Sequence, residues 1–155
     1  MSRAFVKESE ESAADLELPE RSISPHRNLV TPNGLRLIEA ELRHLEEELA
    51  RARAADDKPA IARWQRDLRY WTHQRASAEV VQPLSRNDKV RFGSTITLRL
   101  PDGAVRTLRI VGEDEADPAA GTIAYVAPVA AEMIGAAVGD RVATGGGEGE
   151  IVAIA

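Results

Sequence analysis

The sequence predicts an α+β fold: an antiparallel coiled-coil hairpin of two helices, followed by an antiparallel sheet domain with one short helix. Three observations carry that expectation. Apolar residues follow a seven-residue repeat over residues 32–54, a second such run follows a short polar break, and from about residue 83 the apolar period shortens to about 2.

The chain opens with a tail, residues 1–30, that contains Ser, Glu and Pro but no sustained apolar period. Pro19 and Pro25 favour an extended path, so the stretch is expected to be disordered or loosely docked. Its opening, MSRAFVKESEESAADLE, lacks the apolar run of a signal peptide.

The hairpin is expected over residues 31–82. Thr31 and Pro32 read as a helix N-cap followed by proline at the first helical position. Leu35, Ile38, Leu42, Leu45, Leu49 and Ala52 then recur at alternating spacings of three and four, which is a heptad seam. Ile61, Trp64, Leu68, Trp71 and Ala78 continue it beyond the break, with Arg75 as the one polar interruption. The arms run from roughly 32 to 54 and 59 to 81, each about 35 Å long, and arms of near-equal length joined by a short polar break pair antiparallel. Ala52, Ala54 and Ala55 thin the seam towards a turn at residues 55–60. Trp64 and Trp71 are expected to pack across towards residues 42–49 rather than to stack on a base or cofactor.

The sheet domain is expected over residues 83–155. KVRFG, STITLRL and VRTLRIVG read as strands, with Pro101, Asp102 and Gly103 turning the chain between the last two. GTIAYV is a further strand and PVAAEMIG a short helix, opened by Pro128 and closed by Gly135. RVAT and GEIVAIA finish the sheet around Gly145, Gly146 and Gly147.

Composition narrows the chemistry. The 155 residues carry a net charge of −5 and no cysteine, which excludes a disulfide framework, a thiol nucleophile and a Cys-based zinc site. A DNA-wrapping protein would show a basic excess; residues 31–82 instead balance nine basic with nine acidic side chains, as a solvated helical surface does. The most apolar stretch, residues 124–138, is broken by Pro128 and Glu132 and is too short to span a bilayer. The chain is therefore expected to be soluble and cytoplasmic, with no membrane partner. His26, His44 and His73 are scattered without ligand spacing, and no nucleophilic triad or phosphate-binding glycine loop is present. Phe92 and Tyr125 are the only aromatics after residue 83, too few for an aromatic-lined prolyl-isomerase pocket.

The strings VRFGSTITL, RIVGEDEADPAAGTIAYVAPVAAEMIGAAVGD and GEGEIVAI resemble the C-terminal domain of the bacterial GreA/GreB transcript-cleavage factors, and VTPNGLRLIEAEL resembles their opening helix. The likeness covers roughly residues 30–155. It implies an FKBP-like fold for the sheet domain and a partner, RNA polymerase, on whose secondary-channel rim that domain docks. It also implies that the coiled coil enters the channel, where acidic tip residues help the polymerase's own active site hydrolyse backtracked RNA. The chain would then be an accessory factor rather than an enzyme.

Residue by residue, the family tip Gly-Asp-Leu-Lys-Glu-Asn falls on Ala55, Asp56, Asp57, Lys58, Pro59 and Ala60. Asp56 matches the aspartate and Lys58 the lysine, but Pro59 replaces the glutamate, and both arms are shorter than in the family. Asp56 and Asp57 are the tip candidates. As hard oxygen ligands they suit Mg²⁺, though only in a site shared with the polymerase, since no tightly bound cofactor is expected. The same aspartates also read as a helix start, capping free N–H groups. Arg51, Arg53, Lys58 and Arg63 are candidates for contact with the nascent RNA 3′ end through phosphates; the alternative is a solvated face with pairs such as Glu47–Arg51. Asp114, Asp117, Pro118 and Pro128 are candidates for polymerase docking. Two further functions stay open: a non-cleaving regulator that occupies the channel, and a hairpin adaptor for another partner.

Overall fold

The computed structural model describes residues 18–155, so the expectation for residues 1–17 lies outside the described residues. The described chain groups into two units, residues 18–25 with Ile38–Ser77, and His26–Leu37 with Ala78–Ala155.

The first unit is a helical hairpin. Helix α1 spans Pro32–Ala54, its first turn belonging to the second unit, and helix α2 spans Lys58–Ser77. Ile38, Leu45, Leu49 and Ala52 are buried and Leu42 is half-buried, so the seam of α1 lies where the heptads put it. Ile61, Trp64, Leu68 and Trp71 are half-buried on α2. Two contacts tie the arms in antiparallel order: the His44 ring meets Trp64 edge-on at 6.4 Å, and the Arg75 Nε donates to Glu39 Oε1 at 3.0 Å.

The base of α2 departs from the heptad expectation. Arg75 is exposed and paired with Glu39, while Gln74 takes the buried position at 7% exposure. A neutral amide is far cheaper to bury than a guanidinium. The helix also stops at Ser77 rather than continuing to residue 81, because the next residues are drawn into a strand.

That strand opens the second unit. β1 (Leu29–Val30) and β2 (Glu79–Val80) pair in parallel, Leu29 with Glu79 and Val30 with Val80. The end of the expected tail is thus an ordered strand. Arg27 reinforces it by donating from Nε to Glu79 Oε1 at 3.3 Å, and the Tyr125 hydroxyl donates to the Arg27 carbonyl at 2.6 Å. Gly112 lies directly beneath: a Cβ there would come within 2.3 Å of the Leu29 carbonyl oxygen.

The main sheet runs β5-β4-β3-β7-β6, with β3 at Thr95–Arg99, β4 at Val105–Val111, β5 at Thr122–Ala124, β6 at Arg141–Thr144 and β7 at Gly147–Ile154. Three of its pairings are antiparallel. The fourth differs from expectation: β5 runs parallel to β4, because the 3₁₀ turn Pro118–Ala120 lies on a connection that carries the chain back alongside the last three residues of β4, where Arg109 faces Thr122 and Val111 faces Ala124. KVRFG is not a strand either. Val90 exchanges backbone bonds with residues 135 and 136 instead, and Gly93, at φ 87°, turns the chain. The short helix α3, Pro128–Met133, places Ala130 and Met133 one turn apart against Ile96, Leu98, Ile110, Val142 and Ile151. Phe92 and Tyr125 pack edge-on at 5.7 Å on this core.

Candidate functional site

The hairpin turn is built by two interlocked caps. At the end of α1 the Asp57 amide donates to the Ala52 carbonyl and the Asp56 amide to Arg53, both within 3.1 Å. This is a Schellman closure, whose C′ residue takes a left-handed conformation that glycine usually supplies. Asp56 occupies it at φ 50°, the one described non-glycine residue with positive φ; aspartate tolerates the region better than most residues.

Asp57 then caps α2. Its Oδ1 accepts from the Ala60 amide at 3.2 Å and its carbonyl from Ile61 at 2.9 Å. Lys58 and Pro59 fill the first two helical positions, where the missing proline N–H costs nothing. The two neighbouring carboxylates therefore have different work. Asp57 is engaged on the backbone, whereas Asp56 is exposed and its side chain holds no hydrogen bond or ion pair among the described residues. Among those residues no group of three or more His, Cys, Asp or Glu could hold a metal ion, so any Mg²⁺ at this tip would need ligands from another molecule.

The basic candidates behind the tip divide similarly. Arg51 is held by Glu48 and, at 3.9 Å, by Glu47. Arg63 lies over the Trp64 ring at 4.4 Å. Arg53 and Lys58 are exposed, with no ion pair among the described residues. Further down α2 the basic residues have partners that the sequence did not show. Arg66 pairs with Asp67 at 2.9 Å, Arg69 donates from Nε to Glu20 at 3.0 Å, and Arg21 reaches Asp67 at 3.8 Å.

In the second unit, Asp117 caps the 3₁₀ turn through the Ala119 amide at 3.2 Å, and Pro118 and Pro128 each begin a helical turn. Asp114 is half-buried. These roles are structural and leave the exposed faces of Pro118 and Pro128 available. Glu115, in the same loop, has a role that the sequence did not show. Its Oε2 accepts from the Thr31 hydroxyl at 2.6 Å and its Oε1 from Asn33 Nδ2 at 2.9 Å. Thr31, 1% exposed, caps α1 by accepting from the Gly34 amide at 2.9 Å. The N-cap was legible from Thr31-Pro32; its carboxylate partner 84 residues away was not.

Comparison with known proteins now assigns the chain. The family described as transcription elongation factor GreA/GreB, C-terminal, matches residues 85–154. Transcription elongation factor GreA of Legionella pneumophila (strain Lens) is 33% identical over 134 residues, covering 73% of this chain and 84% of that one. This chain belongs to the GreA/GreB family. Transcription elongation factor GreB of Neisseria meningitidis serogroup B is 40% identical over 86 residues, so the match spans 54% of this chain and 53% of that relative's length. Among solved structures, GreA factor homolog 1 (Gfh1) of Thermus thermophilus aligns over 84% of this chain and 99% of its own at 18% identity, with a TM-score of 0.41. GreA/GreB of Nitrosomonas europaea aligns over 81% and 97% at 23% identity, with a TM-score of 0.40.

For a GreA/GreB chain the tip has a particular consequence. Where the resemblance puts a glutamate, Pro59 stands at the second position of α2, so the only acidic side chains of the turn are Asp56 and Asp57.

Proposed function

We propose that this chain is an elongation factor that binds RNA polymerase at the secondary channel and places its hairpin turn towards the polymerase active site. The observation that carries this reading is the exposed Asp56 carboxylate at the apex of a turn whose backbone is fully closed without it. A carboxylate with no structural duty can ligate a Mg²⁺ already held by the polymerase and orient the water that attacks a phosphodiester. Arg53 and Lys58 beside it supply phosphate contacts to an extruded RNA 3′ end, with Arg51 and Arg63 behind. Docking would use the exposed Asp117, Pro118 and Pro128, with the half-buried Asp114 beside them.

A second reading within the same class rests on Asp57. Its carboxylate is spent on capping, and Pro59 supplies no acid, so a tip with one free carboxylate also suits a factor that occupies the channel without stimulating cleavage. One experiment separates the two. Core polymerase is stalled in backtracked elongation complexes, and RNA shortening is followed with wild-type chain and with Asp56→Gly plus Asp57→Ser, which keeps the turn and cap while removing both charges. Faster shortening with wild type alone establishes cleavage stimulation. Background shortening with both, together with slowed elongation, establishes occupancy. Failure of the wild-type chain to co-elute with polymerase overturns both and leaves an adaptor for another partner.

A further inference from the structure

Residues 18–25 lie along the outer surface of α2 within the helical unit, and the way they are held says what they cover. The Glu20 carboxylate sits in the fork of the Arg69 guanidinium, taking Nε at 3.0 Å and Nη2 at 2.5 Å. The Arg21 guanidinium lies 3.8 Å from the centre of the Tyr70 ring and 5.7 Å from that of Trp71. An acid in an arginine fork is where a phosphate would sit, and a planar group on a tyrosine face is where a base would stack.

We propose that residues 18–25 are a displaceable electrostatic cover over a face of α2 suited to single-stranded RNA. Arg63, Arg66 and Tyr70 follow at spacings of three and four, on one face of the helix, with Arg69 and Trp71 beside them. The described contacts that hold the cover are polar rather than apolar. Leu18 and Ile23 remain 36% and 45% exposed, so it buries little apolar surface. Both partners of the Glu20–Arg69 pair are more than half exposed, and such pairs are weak and screened by salt. A polyanion that gains from counterion release outcompetes one carboxylate, so RNA brought to the hairpin lifts the cover and engages Arg66, Arg69 and Tyr70. Without RNA the cover keeps this basic, aromatic surface from non-specific nucleic acid.

The inference extends the proposed work in the polymerase channel but is tested on the free chain, so either can fail alone. The probe is a fluorescein-labelled oligouridine, titrated by anisotropy at several salt concentrations. Glu20→Gln with Arg21→Gln is expected to bind several-fold tighter than wild type at low salt, the gain shrinking as salt rises because the Glu20–Arg69 pair that it removes is itself screened. Adding Arg66→Gln and Arg69→Gln is expected to abolish the gain. Equal affinity of wild type and uncovered chain, or a gain that survives loss of both arginines, overturns the proposal. Should the double variant lose helical circular dichroism, Glu20→Gln alone, which keeps Arg21 stacked, is read by the same criteria.

Discussion

Replacing Asp57 by alanine removes the oxygen that receives the Ala60 amide while leaving the rest of the turn in place. N-cap losses cost about 0.5–2 kcal/mol. The 3.2 Å separation and the exposed position of Asp57 place it near the middle, at about 1 kcal/mol. For a chain of this length that lowers the melting temperature by about 2–4 °C. Serine and asparagine cap as well as aspartate, so Asp57→Ser should sit within a few tenths of a kcal/mol of wild type. Asp56 behaves in the opposite way. Its left-handed backbone costs about 1 kcal/mol for a residue with a Cβ, and glycine relieves this while adding about 0.4–1 kcal/mol of unfolded-chain entropy. Asp56→Gly is then close to neutral, and Asp56→Ala is destabilising because alanine takes up left-handed backbone less readily than aspartate. The assay is thermal unfolding followed by circular dichroism at the helical minimum. Equal losses from Asp57→Ala and Asp57→Ser, or a large loss from Asp56→Gly, would refute the two-cap account of the tip.

Three further outcomes follow from the same structure. Thr31→Ala removes both the cap on Gly34 and a donor to Glu115, and should cost about 1–2 kcal/mol in urea unfolding, with Glu115→Ala costing more than Glu113→Ala. Gly112→Ala drives a methyl into the Leu29 carbonyl, so a loss of about 1–3 kcal/mol with faster amide exchange at Val30 and Val81 is expected. The hydrogen bond from Arg69 holds the Glu20 pKa below its ordinary value, with Arg69 and Arg66 adding charge attraction. A lowered carboxylate contributes above its unfolded pKa, so the part of the attachment of residues 18–25 that Glu20 supplies is present above that pKa and is lost as pH falls through the lowered value, while the Arg21 contact with Tyr70 remains; proteolysis near Ile23 by an acid-active protease should accelerate in that window.

Local chemistry was the legible part of this fold. Thr31-Pro32 and the leucine heptads fixed α1 to the residue, since capping and seam both act within one helix, and Asp57-Lys58-Pro59 announced the start of α2. What sequence periodicity could not show was pairing between distant segments. Residues 78–81 continue a helical pattern, yet β1 captures them, because a ladder with Leu29–Val30 satisfies their backbone where a frayed helix end would not. The parallel β4–β5 pair and the partners of Glu20 and Glu115 escaped for the same reason. At the tip the acids were visible, but not their division of labour, which rests on the φ of Asp56 and one bond from Ala60.

The two-residue ladder of β1 and β2 has a consequence for how such hairpins can vary. Chain enters the hairpin from Leu29–Val30 and leaves it to Glu79–Val80, and those two short strands are paired. Everything between them is a closed insert with fixed ends. Removing one heptad from each arm together keeps the seam in phase and passes unnoticed at the ladder, whereas removing seven residues from one arm alone unbalances the pair and must be absorbed at the turn. The insert is therefore adjustable in matched increments, and its length can be reset by natural or designed deletion without redesign of the sheet domain.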